Sequence, residues 1–399
     1  MMKTTQAFRV SGLLLFLALS LTPALLSQTA EGTPTTGQLE RQIEQLQKQL
    51  GELKAEIAAM KQQQIAPQSS QNGPARSATA ADAQTPAASP ASAAPAVPAT
   101  AENSSPTAKP AASLFSSTAI TGFVDTYYGY NFNQPANRTS TLRAFDGPAN
   151  QFSLNMTELT ISRAPDANVS RLGYDLTFGY GNAMNVVNAS DPGGLGFAQY
   201  LKEAYASYLV PVGKGLQIDF GKFVTPAGAE VIETKDDWNY SRGFLFSYAI
   251  PFYHFGLRAK YALNDKVSLT GYLVNGWNDV VDNNTGKTYG LSLAWNPSKK
   301  FSLIENYLAG PEMADRNSPW RQLTDTVAQY NVTSKLSLLG NFDWGGGDLV
   351  PGRTGAAFWT GVAGYVRYAF NDRYTLATRY EYYDDHDGFT TGTAQNLNE

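Results

Sequence analysis

The chain has 399 residues, 30 Lys+Arg against 34 Asp+Glu for a net charge of −4, no Cys and two His. Zero Cys excludes disulfides, thiolate metal sites and a cysteine nucleophile, while two imidazoles, His254 and His386, are too few for most zinc cages or Ser-His-Asp triads. No basic block is present to hold a phosphate backbone, and no apolar run reaches the roughly eighteen residues of a membrane helix, so nucleic-acid partners and a helical membrane bundle drop out.

Lys3 and Arg9 precede the apolar run Gly12 to Leu19, which is followed by Pro23, Ala24 and Ser27. This order predicts a secretory signal peptide over residues 1–27, and the absence of Cys near the cleavage point removes a lipid anchor. Leu39, Ile43, Leu46, Leu50, Leu53, Ile57 and Met60 then alternate by four and three, the a/d seam of a coiled coil over 36–63. A helix this short buries nothing alone, so the Leu39–Met60 heptads imply a homo-oligomer, a trimer among the arrangements open to it, unless the helix lies on the protein's own body. Residues 64–115 are Ala, Pro, Ser and Thr with almost no large apolar side chain, a disordered linker that ties the coil to the C-terminal two-thirds of the chain.

From 117 to 399 the pattern changes to period two. Leu172, Tyr174, Leu176, Phe178 and Tyr180 take one parity and Arg171, Gly173, Asp175, Thr177 and Gly179 the other; similar splits recur around 257–263, 289–295, 336–344 and 374–382. Strands of about ten residues, with one greasy face and one wet, fit a bilayer crossing at barrel tilt. Short polar connections at Pro165–Asn168, Pro211–Lys214, Asn264–Lys266, Pro297–Lys300, Thr333–Lys335 and Asn371–Arg373 alternate with long ones, as when short turns face the periplasm. Outward parity slips between Met156 and Leu159, which indicates a bulge, and Glu305 falls on the apolar side of its strand. Tyr127, Tyr128, Tyr130, Phe132, Tyr205, Tyr208, Trp277, Trp295, Trp344 and Trp359 are expected near strand ends, at headgroup level. The fold class is therefore all-β, an antiparallel transmembrane β-barrel of about 13–14 strands, about sixteen in a complete chain, preceded by a short coiled-coil helix. The alternative is a soluble sandwich or lipocalin-like barrel with aromatics in its core.

Gly122-Phe123-Val124-Asp125-Thr126-Tyr127-Tyr128-Gly129-Tyr130-Asn131-Phe132-Asn133 resembles the first strand of the OmpL-like β-barrel porins of Gram-negative outer membranes, the β-barrel porin-2 family. Gly221 to Pro226 with Glu230, Asn239 to Arg242, and Pro251 to His254 carry the same resemblance, which runs from Thr118 to Glu399. It implies a water-filled diffusion channel and assigns no solute. Family chains continue through further strands to a terminal aromatic residue, so the ending Asn396-Leu397-Asn398-Glu399 leads us to expect a barrel that is incomplete at its C-terminus.

Asp125, Arg171, Asp175, Arg258, Lys260, Asp343, Arg367, Arg379 and Glu381 are the pore-lining candidates, a wall of mixed sign whose transverse field would orient dipolar solutes. Glu230, Glu233, Lys235, Asp236, Asp237 and Arg242, between Thr225 and Arg242, form the candidate constriction loop; an ordinary extracellular loop is the alternative. Asp384-Asp385-His386-Asp387-Gly388 resembles part of a calcium loop without its twelfth-position Glu, and His254 has no visible Ser and acid to complete a lipase triad. The sequence thus points to a non-enzymatic outer-membrane porin passing small hydrophilic solutes, with outer-membrane lipid and copies of itself as partners, and without cofactor, metal or nucleic acid. The competing reading is a structural or adhesive protein tethering membrane to cell wall through a periplasmic coiled coil.

Overall fold

The computed structural model describes residues 117–349 and 355–399; the expected signal peptide, coiled coil and linker lie outside the described residues. Fourteen strands form one antiparallel sheet in which each pairs with its sequence neighbours. They are β1 (Ala119–Gly129), β2 (Gln151–Arg163), β3 (Leu172–Tyr180), β4 (Leu201–Val210), β5 (Leu216–Val224), β6 (Tyr253–Ala262), β7 (Val267–Val274), β8 (Thr288–Ser298), β9 (Phe301–Pro311), β10 (Trp320–Asn331), β11 (Leu336–Leu349), β12 (Ala356–Ala369), β13 (Thr375–Asp385) and β14 (Gln395–Asn398). The short helix α1 (Asn182–Val187) comes after β3, and Leu245–Ala249 make a single π-helical turn before β6.

The alternation in the sequence is the alternation in the barrel. On β3, Leu172, Phe178 and Tyr180 stand on the outer surface while Gly173, Thr177 and Gly179 are buried. The outer face repeats this with Val124, Phe220, Leu257, Leu273, Leu291 and Val362, an apolar mantle suited to lipid tails and far larger than a soluble surface tolerates. The soluble alternative falls on this mantle. The short connections link β2 to β3, β4 to β5 and so on along one edge, whereas residues 130–150, 181–200, 225–252 and 275–287 cross the other.

Four expectations need correction. The bulge sits at Asn155, where the register jumps from Asp125/Met156 to Thr126/Leu154, and not between Met156 and Leu159. Asn155 Nδ2 donates to Asp125 Oδ2 (2.5 Å), so the extra residue is turned inward to a buried carboxylate. Pro297 and Ser298 belong to β8, which leaves Lys299 and Lys300 as the turn. Tyr127, Tyr205, Trp277 and Trp359 face the interior and not the lipid headgroups. Trp359 is fully buried, Arg258 covers the Tyr205 ring, Arg321 covers Trp277, and Tyr127 packs on Tyr240.

The fourth correction is the largest. Inside the sheet Leu245, Phe246, Ile250 and Phe252 pack with Phe145, Met156 and Met184 and with the inward rings of Trp359, Tyr365 and Tyr383, so part of the interior is dry. The run Gly243-Phe244-Leu245-Phe246-Ser247-Tyr248-Ala249-Ile250-Pro251-Phe252 is too apolar to stay in water, and folding it inward removes that surface. Leu245→Ala is expected to destabilise the fold by about 2–5 kcal/mol, read as a lower temperature for loss of the compact band on cold-loaded SDS gels; an unchanged transition would mean that the run does not pack.

Candidate functional site

The inward parity of the strands brings together most of the residues singled out from the sequence. Asp125, Asp175, Arg258, Lys260, Asp343, Arg367, Arg379 and Glu381 occupy inward positions in the register, on the same side as buried Thr177, Asn306 and Ala363. Arg171 stands just before β3, where its Nη1 donates to the Leu209 carbonyl (3.1 Å) and ties one short turn to the next strand. Arg258 Nε donates to Asp219 Oδ2 (2.6 Å), Ser207 Oγ to Asp219 Oδ1 (2.6 Å), and the guanidinium covers the rings of Tyr205 and Phe223. Lys260, the next inward residue, is half-buried and has no ion-pair partner among the described residues. Arg367 lies over the Trp238 ring.

The segment from Thr225 to Phe252 leaves β5 and is stitched to the inner wall along its length. Asn306 Nδ2 on β9 donates to Pro226 O (3.0 Å), Gly228 N to Asp325 Oδ1 on β10 (3.1 Å), and Ala229 N to Asn341 Oδ1 on β11 (3.1 Å). Farther along, Thr234 Oγ1 and Tyr240 OH donate to Asp125 on β1 (2.9 and 3.0 Å), Leu245 N donates to Glu381 Oε2 on β13 (3.1 Å), and Trp359 Nε1 on β12 donates to Ala249 O (3.1 Å). Glu233 pairs with Lys202, which also holds Glu158. A single segment can reach β1, β4 and β9 to β13 at once only from within the curled sheet.

Two buried ion clusters order this segment. Arg379 Nη1 donates to Glu230 Oε1 (2.7 Å) and to Ser241 O (2.5 Å), its Nη2 donates to Glu399 Oε1 (2.7 Å), and its Nε faces Glu381. Glu230 Oε2 in turn accepts from Gly243 N (2.6 Å), which closes the segment on itself. Burial raises the Glu230 carboxyl against the pull of Arg379. In the second cluster Asp237 Oδ1 accepts from Val231 N (2.9 Å) while Arg242 lies 3.7 Å away, donates to the carbonyls of Val231, Tyr240 and Ile232, and stacks over Phe145. Burial pushes Asp237 up to about 8, helped by nearby Glu230, and lowers the Arg242 guanidinium. Lys235 and Asp236 pair with each other at the surface and take no part in either cluster.

Gly243 has no room for a side chain, since a Cβ would fall 1.7 Å from Glu381 Oε1. Gly243→Ala is expected to push Glu381 off Leu245 N and Arg379 and to cost roughly 1–3 kcal/mol, seen as a lowered unfolding midpoint in urea; wild-type stability would refute the close approach.

Sequence reasoning missed Asp219, Lys202, Glu158 and Asp325. Asp219 stands in plain alternation, Leu216-Gln217-Ile218-Asp219-Phe220, and was legible. Lys202 was not, because it is itself the extra residue of a bulge in β4, opposite Thr177 and Phe178, which turns it inward beside Glu203. The buried His254 holds its Nδ1 2.9 Å from the Gly276 carbonyl oxygen, without a hydroxyl nucleophile among its partners. Both oxygens of Asp385 are occupied by donors, from Phe389 N and from the amides and hydroxyls of Thr390 and Thr391, so that the carboxylate shapes the turn before β14.

Among solved structures, the chain is similar to an anion-selective porin from Comamonas acidovorans at 12% identity and a TM-score of 0.43, over 67% of this chain and 79% of that one. A porin refined at 1.8 Å resolution matches at 11% identity and 0.40, over 70% and 86%. The outer-membrane OmpT of Vibrio cholerae matches at 10% identity and 0.34, over 67% and 88%. No curated protein sequence matches the chain significantly. The family described as Putative β-barrel porin-2, OmpL-like, matches residues 117–399, and with this inward-polar, outward-apolar barrel the chain belongs to that family of Gram-negative outer-membrane porins.

Proposed function

We propose that the protein is a passive channel for small hydrophilic solutes, narrowed by residues 225–252 lying across its interior. One observation carries the reading: on β4 to β8 the inward row holds Ser207, Gln217, Asp219, Arg258, Lys260, Thr270 and Ser292 while the outward row of the same strands is apolar apart from the buried Lys222 near the end of β5. A polar lining opposite the dry cluster supports a wet passage alongside the segment, with Glu230, Glu233, Asp237 and Arg242 holding the segment in place and Lys260 and Arg367 open to passing solutes. No reacting group is needed; the protein is read as non-enzymatic.

β1 begins on the edge of the sheet that carries the short turns, which supports a periplasmic position for everything before it. A coiled coil at 36–63 on a linker through 64–115 would then also serve the tethering reading without competing with the pore. Purified protein reconstituted in planar bilayers is expected to give discrete conductance steps, and liposomes carrying it should swell in isosmotic sugar. Folded protein that inserts and never conducts would sink the channel and leave the tether.

A further inference from the structure

We propose that the outward face of β9 and β10, centred on Glu305 and Thr326, is a docking surface for a second copy of this chain within the membrane. The inference rests on the strands spanning the bilayer and does not depend on the lumen conducting. β10 is unlike the other long strands described. Between Trp320 and Tyr330, whose rings mark the two headgroup levels, its outward positions are Gln322, Thr324, Thr326 and Ala328, none of them a large apolar side chain. Beside it Glu305 projects outward from β9, opposite Leu293 on one side and Thr326 on the other. Thr326 Oγ1 donates to Glu305 Oε2 (2.7 Å), and the other carboxylate oxygen has no partner among the described residues.

A carboxylate between the aromatic girdles finds nothing in lipid to donate to it, and ionisable groups at that depth mark contacts with protein or water. The surface itself offers what is missing. Gln322 Oε1 is occupied by Tyr307 OH (2.7 Å), which leaves its Nε2 hydrogens and the Thr324 hydroxyl to donate. Two copies meeting on this face can therefore pair each other's donors with Glu305, a self-complementary arrangement that a lipid or an arbitrary apolar partner lacks. Alongside lie Gly340 and Gly364, where an added Cβ would meet nothing within 4 Å, so a neighbouring backbone can approach. Self-association through the Leu39–Met60 heptads, expected from the sequence, would bring the second copy this face needs.

The absence of Cys makes the test clean. Thr324→Cys and Ala328→Cys, oxidised in intact outer membranes, are expected to give a covalent species of twice the chain mass, whereas Leu257→Cys on β6 and Leu291→Cys on β8 should stay single. Crosslinking at β6 or β8 instead, or only to other proteins, would overturn the assignment. Glu305→Leu is expected to reduce the oligomer at least tenfold on native gels with the conductance of each barrel unchanged. An intact oligomer together with a more heat-resistant barrel would place Glu305 against lipid and refute the proposal.

Discussion

Arg379→Ala is expected to release the interior segment and to destabilise the folded barrel by about 3–5 kcal/mol, the cost of removing one partner from a buried ion cluster. The guanidinium is almost wholly buried and stands between Glu230 on the segment and Glu381 on β13, with Glu399, which also pairs with Arg143, beyond. Alanine leaves Glu230 and Glu381 facing one another in a dry region and removes the Nη1 bond that also holds Ser241 O. In bilayers the variant should show larger and noisier conductance steps, because the segment loses its ionic tie to β13 while its hydrogen bonds to β10 and β11 remain. Arg379→Lys keeps the charge but cannot form the forked contacts, and should fall between the two. A double variant with Glu230→Gln is expected to recover part of the loss, since the two residues act as one unit. Wild-type conductance and stability in Arg379→Ala would mean that the segment is held by its apolar packing alone.

The barrel was legible in the sequence because the bilayer writes a strict rule: ten-residue strands, one face for lipid, one for the lumen. Leu172 to Tyr180 obeys it at every position, and the wall residues followed from parity alone. Legibility ended where parity breaks. The bulges at Asn155 and Lys202 each turn a polar side chain inward by inserting one residue, and nothing in the local composition marks the insertion point. β10 shows no greasy parity for a different reason: its outward Thr and Gln contradict the lipid rule. The path of the segment after β5 was half legible. Its charges drew attention to Glu230, Asp237 and Arg242, yet the apolar run from Phe244 to Phe252 was the stronger sign, since a loop that greasy must find a dry surface and the nearest is the inside of the barrel. Tyr127, Tyr205, Trp277 and Trp359 misled for a related reason. An aromatic ring suits a headgroup level or a packed interior equally, and the choice is made by neighbours that sequence distance conceals.

The segment also carries a titratable element, and its effect has a definite sign. Burial pushes Asp237 up to about 8, well above the unfolded carboxylate value near 4, and the Arg242 guanidinium at 3.7 Å does not offset it. The folded segment therefore binds this proton more tightly than the unfolded chain does. The stabilisation is full below about pH 4 and falls by roughly 1.4 kcal/mol per pH unit as pH rises toward 8, where the folded carboxyl ionises; above that it is flat. Glu230, raised by burial in the neighbouring cluster, acts in the same direction. Conductance noise and protease cleavage between residues 230 and 242 should accordingly increase from pH 6 to pH 9. Asp237→Asn replaces the carboxyl with a neutral group that can still accept from Val231 N, and should flatten most of that rise while leaving behaviour at pH 6 close to wild type. An unchanged pH profile in Asp237→Asn would assign the titration to another group, and a rise in order with pH would show that the Asp237–Arg242 pair outweighs the cost of burying it.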